Sequence, residues 1–220
     1  MRLPHMDWTD RRVVVVIAHP DDEVLGCGAT LARVAEVANR VTVVLAARRA
    51  DPRGVTLWSD LLDGFEKSCA RLGAVAAVAE PLLDEARIDC DLRRLHDSIL
   101  PFIEAADVVL THHHSDVHQT HRGVSRAVEI GTRPFRRWRD VLLFEVPTST
   151  DQGYRREFEP QAFAPLDRRH VDAALEALSF YGSEIEPGRR PTDLEARYRS
   201  RGAEVAVEFA EAFQVARQRL

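Results

Sequence analysis

The chain has 220 residues, 45% of them hydrophobic and 30% charged, with a formal net charge of -5 at pH 7. That length suits one large α/β domain, and the mild acidity leaves no electrostatic footprint for nucleic acid or an anionic membrane. Three cysteines, Cys27, Cys69 and Cys90, lack CxxC spacing, which argues for a reducing, cytoplasmic setting and against a disulfide framework or a cysteine-based zinc site.

Residues 1–10 include Asp7 and Asp10 and do not read as a signal peptide. No apolar run approaches the roughly 18 residues of a membrane span. Residues 13–18 form a short, β-branched apolar run that reads as a fully buried strand. Residues 24–38 carry a helical apolar stripe, with Gly26 and Gly28 allowing close backbone approach, and residues 41–46 read as a second buried strand. Strand, helix and strand in that space make a βαβ unit, hence a parallel sheet with a right-handed crossover. A polar loop at residues 48–54 leads to a helix at 58–72 closed by Gly73, then a weak alanine-rich strand at 74–79.

Residues 92–105 are expected to be helical despite Pro101, residues 107–111 form a fourth strand, and a helix follows to residue 130. Residues 141–146 form a fifth strand. Residues 153–166, with Pro160 and Pro165, read as an irregular or β-hairpin insertion that shapes a pocket; Asp151, Tyr154, Arg155 and Arg156 read there as surface. A helix at 171–181 and a Gly/Pro loop at 186–191 precede a long amphipathic helix expected over 193–220. The reading is a single domain over residues 1–220. Its fold is a Rossmann-like, doubly wound, mostly parallel sheet flanked by helices, with a small C-terminal β/loop insertion and a long terminal helix.

Two of these strands end in chemistry. The first runs into His19-Pro20-Asp21-Asp22-Glu23, and the fourth into a histidine-rich stretch containing Asp116, His118 and His121. In an open α/β sheet both strand ends face the same ligand-binding edge. His19 and Asp22 suit Zn²⁺, and a third ligand belongs to the second cluster, where His118 and His121 share a helix face. The spacing does not decide which of the two binds metal. Asp116 is placed to cap that helix or to fix an imidazole tautomer. Asp21 is the natural general base for water activated by the cation. His112, His113 and His114 are read as lying outside the metal sphere, Glu23 as a structural contact, and Arg122 as either a substrate clamp or a carboxylate partner. A dinucleotide site is excluded because the glycines follow the acids and no strand–GxGxxG–helix order exists.

The pair of motifs, Ala18-His-Pro-Asp-Asp-Glu23 with Asp116-x-His118-x-x-His121-Arg122, resembles the zinc-dependent deacetylases of the PIG-L/LmbE family. The resemblance extends more loosely to residues 84–91, where the family has a substrate loop, and to residues 202–213. It implies His19, Asp22 and His121 as zinc ligands and Asp21 as general base. It also implies His118 as the oxyanion-stabilising or acid residue, oriented by Asp116, and an N-acetylated amino sugar or glycoconjugate as a small-molecule substrate. The chain departs from the family at Thr120, at His114-Ser115, at Leu61, where relatives carry a substrate-anchoring arginine nearby, and at Tyr181-Gly-Ser183-Glu184. These departures bear on the substrate rather than the chemistry. The competing readings are a zinc amidase acting on a thiol conjugate or secondary metabolite, and a non-catalytic sugar- or metal-binding relative.

Overall fold

The computed structural model describes residues 6–49, 57–88, 90–155 and 157–219. The predicted polar loop lies outside the described residues from position 50 onward, and so does Arg156. Chain order is β1 (Arg12–Ile17), α1 (Asp22–Val34), β2 (Arg40–Arg48), α2 (Trp58–Arg71), β3 (Val75–Asp84), α3 (Leu92–Ala105), β4 (Val108–His112), α4 (Gln119–Gly131), β5 (Asp140–Phe144), β6 (Ala162–Leu166), α5 (Arg168–Ser179), α6 (Pro191–Glu204) and β7 (Phe209–Arg217).

The seven strands form one sheet in the order β3-β2-β1-β4-β5-β7-β6. The first five are mutually parallel, while β7 runs antiparallel to both neighbours. Alternation along the strands loads both faces. Val13, Val15 and Ile17 pack with Val41, Val43 and Leu45 under α1, α2 and α5, while Val14, Val16 and Val109 pack under α3 and α4. A sheet buried on both faces explains why β1 and β2 read as unbroken apolar runs. The doubly wound, mostly parallel architecture is therefore as expected. Chain order reverses between β1 and β4, the switch point at which such sheets bind ligands.

α1 comes unusually close to the sheet because position 26 has no side chain. A Cβ at Gly26 would lie 2.3 Å from Cδ2 of Phe144 on β5. The same phenyl ring meets His112 edge-on at 4.8 Å, so this packing reaches the carboxyl edge of the sheet. Gly26→Ala is expected to lower stability by about 1–3 kcal/mol through overpacking. Denaturant unfolding checks this, and a variant as stable as the parent would contradict it.

The long terminal helix is a correction. α6 stops at Glu204, Ala206 takes a φ of 60°, and residues 209–217 form β7. The stretch holds three alanines with Glu211, Gln214 and Arg217, which favour helix, but its first five residues are all buried between β5 and β6. Pairing on both edges outweighs local propensity there. Among the described residues of the insertion, only 162–166 become a strand, and its partner is β7 rather than a second strand of the insertion.

α1 also carries an internal break: Cys27 has φ -157° and ψ 21°, outside the helical range. The amides of Ala29 and Thr30, second and third after the break, donate to the Glu211 carboxylate at 3.1 and 2.7 Å. Glu211 comes from β7 and so caps the second half of the helix from another element.

Candidate metal centre and catalytic cleft

The turn after β1 carries the first half of the site. Asp22 is the first residue of α1, and its Oδ2 accepts the amide hydrogen of His19 at 2.7 Å, which closes the turn around Pro20. Asp21 precedes the helix with φ 105°, a left-handed conformation rare outside glycine, asparagine and aspartate. Glu23 turns inward, accepting from Ser68 at 2.6 Å and Tyr181 at 2.5 Å, and so ties α1 to α2 and to the end of α5. Burial lifts its carboxyl to about 7, although Ser68 and Tyr181 oppose the shift. The structural role read for Glu23 matches these contacts.

The second half follows β4. His118 precedes α4, and its Nδ1 accepts the amide hydrogen of Thr120 at 3.3 Å. His121 lies on the first turn of that helix with its ring against the first cluster. Its Nε2 is 3.4 Å from Asp22 Oδ1, and its Nδ1 is 3.2 Å from Asp116 Oδ2. The His118 and His121 rings stack at 4.7 Å, and the His19 ring meets His118 edge-on at 4.8 Å.

Proton placement separates the histidines by role. His19 Nε2 is 2.8 Å from Glu85 Oε2, which fixes its hydrogen there and leaves the Nδ1 lone pair facing Asp22 Oδ2 at 3.5 Å. On the other side of the site Asp116 Oδ2 lies 3.2 Å from His121 Nδ1, close enough for a charge contact although the angle is not that of a hydrogen bond, and His121 Nε2 faces Asp22. A carboxylate behind each imidazole is the arrangement that orients metal-binding histidines. Among the described residues no carboxylate is recorded in a hydrogen bond or ion pair with the ring of His118. Its Nδ1 lone pair is used by Thr120, so in the neutral ring Nε2 carries the hydrogen and is a donor. Burial, with the neighbouring His121 and His19, pushes His118 down to about 4, which keeps it neutral near pH 7.

Among the described residues, two overlapping sets can hold a metal ion: His19, His118 and His121, or Asp22, His112 and His121. The placement of His112 outside the metal sphere needs qualification, because it is fully buried at the end of β4, with Nε2 3.4 Å from Asp22 Oδ2 and its ring stacked on His121 at 4.0 Å. That Nε2 accepts the amide hydrogen of Ala18 at 3.0 Å, so its lone pair is engaged with backbone. Burial and neighbouring His121 push His112 down to about 4. The free lone pairs are therefore those of His19 Nδ1 and His121 Nε2, with the Asp22 carboxylate between them. His19 Nδ1 faces Asp22 Oδ2 at 3.5 Å and His121 Nε2 faces Asp22 Oδ1 at 3.4 Å, so the two rings address different oxygens of one carboxylate, and neither of the two sets combines His19, Asp22 and His121.

The electrostatics draw positive charge to this point. Burial opposes the His121 cation, but Asp22 and Asp116 outweigh it and push the ring up to about 10. Burial likewise opposes the Asp22 carboxylate, and His121 and His112 hold it well below the ordinary range. A buried acid among imidazoles that favours positive charge this strongly fits a divalent cation in place of a proton.

Asp116 corrects one expectation. Its carboxylate contacts the ring of His121, and His118 reaches it only through a backbone amide at 2.8 Å. Ser149 and Thr150 also donate to it, at 2.5 and 2.6 Å. Arg122 corrects another: it donates to the carbonyls of Asp116 and Val117 at 2.7 and 2.8 Å, clamping the loop rather than a substrate or a carboxylate. His113 turns toward Gln214 on β7 at 2.9 Å, away from the cleft.

Four residues that the sequence reading did not assign to the site complete it. Glu85, Arg49, Glu184 and Arg189 line one cleft with His19, Asp21, Asp22, His118 and His121. Arg189 Nη1 is 3.2 Å from Asp21 Oδ2, and Arg49 Nη1 is 2.7 Å from Glu184 Oε1. Burial and the adjacent Asp22 raise the Asp21 carboxyl well above its ordinary value, and Arg189 opposes that rise. Two of them had a signal in sequence: Glu85 lies within residues 84–91, where the resembled family has a substrate loop, and Glu184 is the last residue of the Tyr181-Gly-Ser183-Glu184 departure. Leu61, the other departure, also lines the cleft.

A doubly wound sheet with a cation-seeking His/Asp cluster at its switch point defines a class of small-molecule enzyme site. The model of the PIG-L family, described as GlcNAc-PI de-N-acetylase, matches residues 14–130, and the chain belongs to that family. No curated protein matches it in sequence. Among solved structures, the conserved protein TT1542 from Thermus thermophilus is 21% identical over 96% of each chain, with a TM-score of 0.75. N,N'-diacetylchitobiose deacetylase from Pyrococcus horikoshii is 16% identical, covering 96% of this chain and 87% of that one, with a TM-score of 0.69. GalB, the 4-carboxy-2-hydroxymuconate hydratase from Pseudomonas putida, is 19% identical over 96% and 98%, with a TM-score of 0.70. At these identities the likeness establishes the fold, which in these neighbours carries both deacetylation and hydration.

Proposed function

We propose that the chain is a cytoplasmic, single-domain, zinc-dependent N-deacetylase acting on an N-acetylated amino sugar or its glycoside. The observation that carries the reading is the pair of carboxylates, Glu85 and Asp116, beside His19 and His121, with His19 Nδ1 and His121 Nε2 both facing the Asp22 carboxylate. His19, Asp22 and His121 would hold the ion. When bound, zinc supplies Lewis acidity, polarising the amide carbonyl and lowering the pKa of water toward ~7.

Everything else falls to side chains already in place. Asp21 lines the cleft beside the ligands and takes the proton of the attacking water as general base. Arg189 holds one oxygen of that carboxylate and favours its ionised form. His118 directs its Nε2 hydrogen to the carbonyl oxygen as negative charge develops there. Asp21 then returns its proton to the departing amine, and acetate and a free amino sugar are the products.

Zinc-loaded protein incubated with a panel of N-acetylglucosaminides should release acetate and amine in equal amounts. No release from any sugar, together with hydrolysis of thiol-conjugate or long-chain acyl amides, would transfer the assignment to the competing amidase reading. The support for His121 has its own consequence. Asp116→Asn is expected to weaken zinc binding about 10–100-fold, the usual effect of losing an oriented carboxylate behind a metal-bound histidine. Competition with a chromophoric chelator measures it, and unchanged affinity would remove Asp116 from that role.

A further inference from the structure

Four consecutive side chains beyond β5 bond into or beside the site from one short turn. Residues 148–151 read Thr-Ser-Thr-Asp, and Thr150–Gln152 form a single turn of 3₁₀ helix. Ser149 Oγ donates to Asp116 Oδ1 at 2.5 Å, and Thr150 Oγ1 donates to Asp116 Oδ2 at 2.6 Å. Each oxygen of that carboxylate therefore holds one hydroxyl, and Oδ2 also lies 3.2 Å from Nδ1 of His121. Thr148 Oγ1 accepts from Arg189 Nε at 2.7 Å, and Arg189 in turn donates to Asp21 at 3.2 Å. Asp151 pairs with Arg197 of α6 at 2.5 Å.

The turn is braced from within and from α6. Val146 accepts the amide hydrogens of Ser149 and Thr150 at 3.2 and 2.9 Å, and its own amide donates to Thr150 Oγ1 at 2.8 Å. Arg197 spans the turn by reaching Glu145 as well, at 3.0 Å. Thr148 holds φ 62°, an outlier for a β-branched residue, and a Cβ on Gly188 would lie 2.4 Å from its Cγ2. Such strain persists only where the surroundings over-determine it. The terminal torsion of an aspartate is broad by itself, and a donor on each oxygen narrows it. Ser149, Thr150 and Asp116 are all buried, so the two hydroxyls rather than bulk solvent satisfy the carboxylate.

We infer that Ser149 and Thr150 are positioning residues of the metal centre: by fixing the Asp116 carboxylate, they hold His121 in the orientation that binds the ion. The inference rests on the proposed reading of His121 as a ligand, and it is independent of which acylated substrate the chain takes.

The test is zinc affinity, measured by competition with a chromophoric chelator and with no substrate present. Ser149→Ala and Thr150→Val should each weaken zinc about tenfold, the lower end for partners behind a metal-bound histidine. Thr150→Ser keeps the hydroxyl and should bind zinc as the parent does. In an Asp116→Ala background neither hydroxyl loss should weaken zinc further, because no carboxylate remains to be held. A turn that serves stability alone would depress affinity equally in both backgrounds, and that result would overturn the inference. Unchanged affinity in Ser149→Ala and Thr150→Val, or a Thr150→Ser variant as weak as Thr150→Val, would overturn it too. Turnover of N-acetylglucosaminides is measured separately. If none is turned over, the deacetylase reading fails while zinc affinity still decides the inference.

Discussion

Asp21→Asn should lower kcat by about 10²–10⁴-fold while the purified protein keeps its zinc. Asparagine is the informative replacement because Asp21 sits at φ 105°, a conformation that asparagine tolerates better than alanine. The change removes the proposed proton acceptor and leaves the turn, the helix start and the neighbouring Asp22, the proposed ligand, in place. His121→Ala should behave differently, losing both zinc and activity, because Nε2 of His121 is one of the two histidine lone pairs facing Asp22. Elemental analysis beside a steady-state assay separates the two outcomes. Full zinc retention in both His19→Ala and His121→Ala would sink the ligand assignment, and near-normal turnover by Asp21→Asn would sink the general base.

The second large effect concerns stability. Burial lifts the Glu211 carboxyl to about 7, against the opposing hydrogen bonds from Thr30 and Ala29, whereas its ordinary value is 4.5. A raised folded-state pKa means that the native protein binds more protons than the unfolded chain between these two values. Stability from this group is therefore greatest at or below pH 4.5 and declines until the pH passes about 7. The shift corresponds to about 3 kcal/mol. Glu23 is raised to about 7 as well, so total stability reports both groups. Comparing the parent with Glu211→Gln across pH 4.5–8 isolates one. The parent's stability relative to the variant should fall by about 3 kcal/mol as pH rises through that window. A difference that stays flat across it would show that Glu211 does not titrate there. The cap at the Cys27 break would then be an ordinary ionised carboxylate.

Parts of this protein were legible without coordinates because they are local. An apolar run ending in His-Pro-Asp-Asp marks a buried strand that delivers metal-competent side chains, and the β-branched character of residues 13–18 needs no partner to be read. The α3 bounds coincide with the predicted helix, residues 92–105, even with Pro101 inside. The terminal strand was illegible for the converse reason. Its residues favour helix, and only the vacancy between β5 and β6, built by chain far upstream, makes a strand of them. His112 is a similar case: alternation along β4 does not say that a strand-end ring will stack on His121.

What the sequence by itself determined is the chemistry available at one sheet edge: two histidines and an aspartate with metal-binding character, a second aspartate beside them, and the strands that bring both clusters together. The tertiary structure decided how those groups are used. It put Asp116 behind His121 rather than His118, gave His19 its carboxylate partner in Glu85, and brought Arg189 to Asp21 across 168 positions. The physical reason is range. Strand and helix periodicity is written within a few consecutive residues, whereas a tautomer, an ion pair or a capped break depends on which distant side chain packing delivers to within about 3 Å.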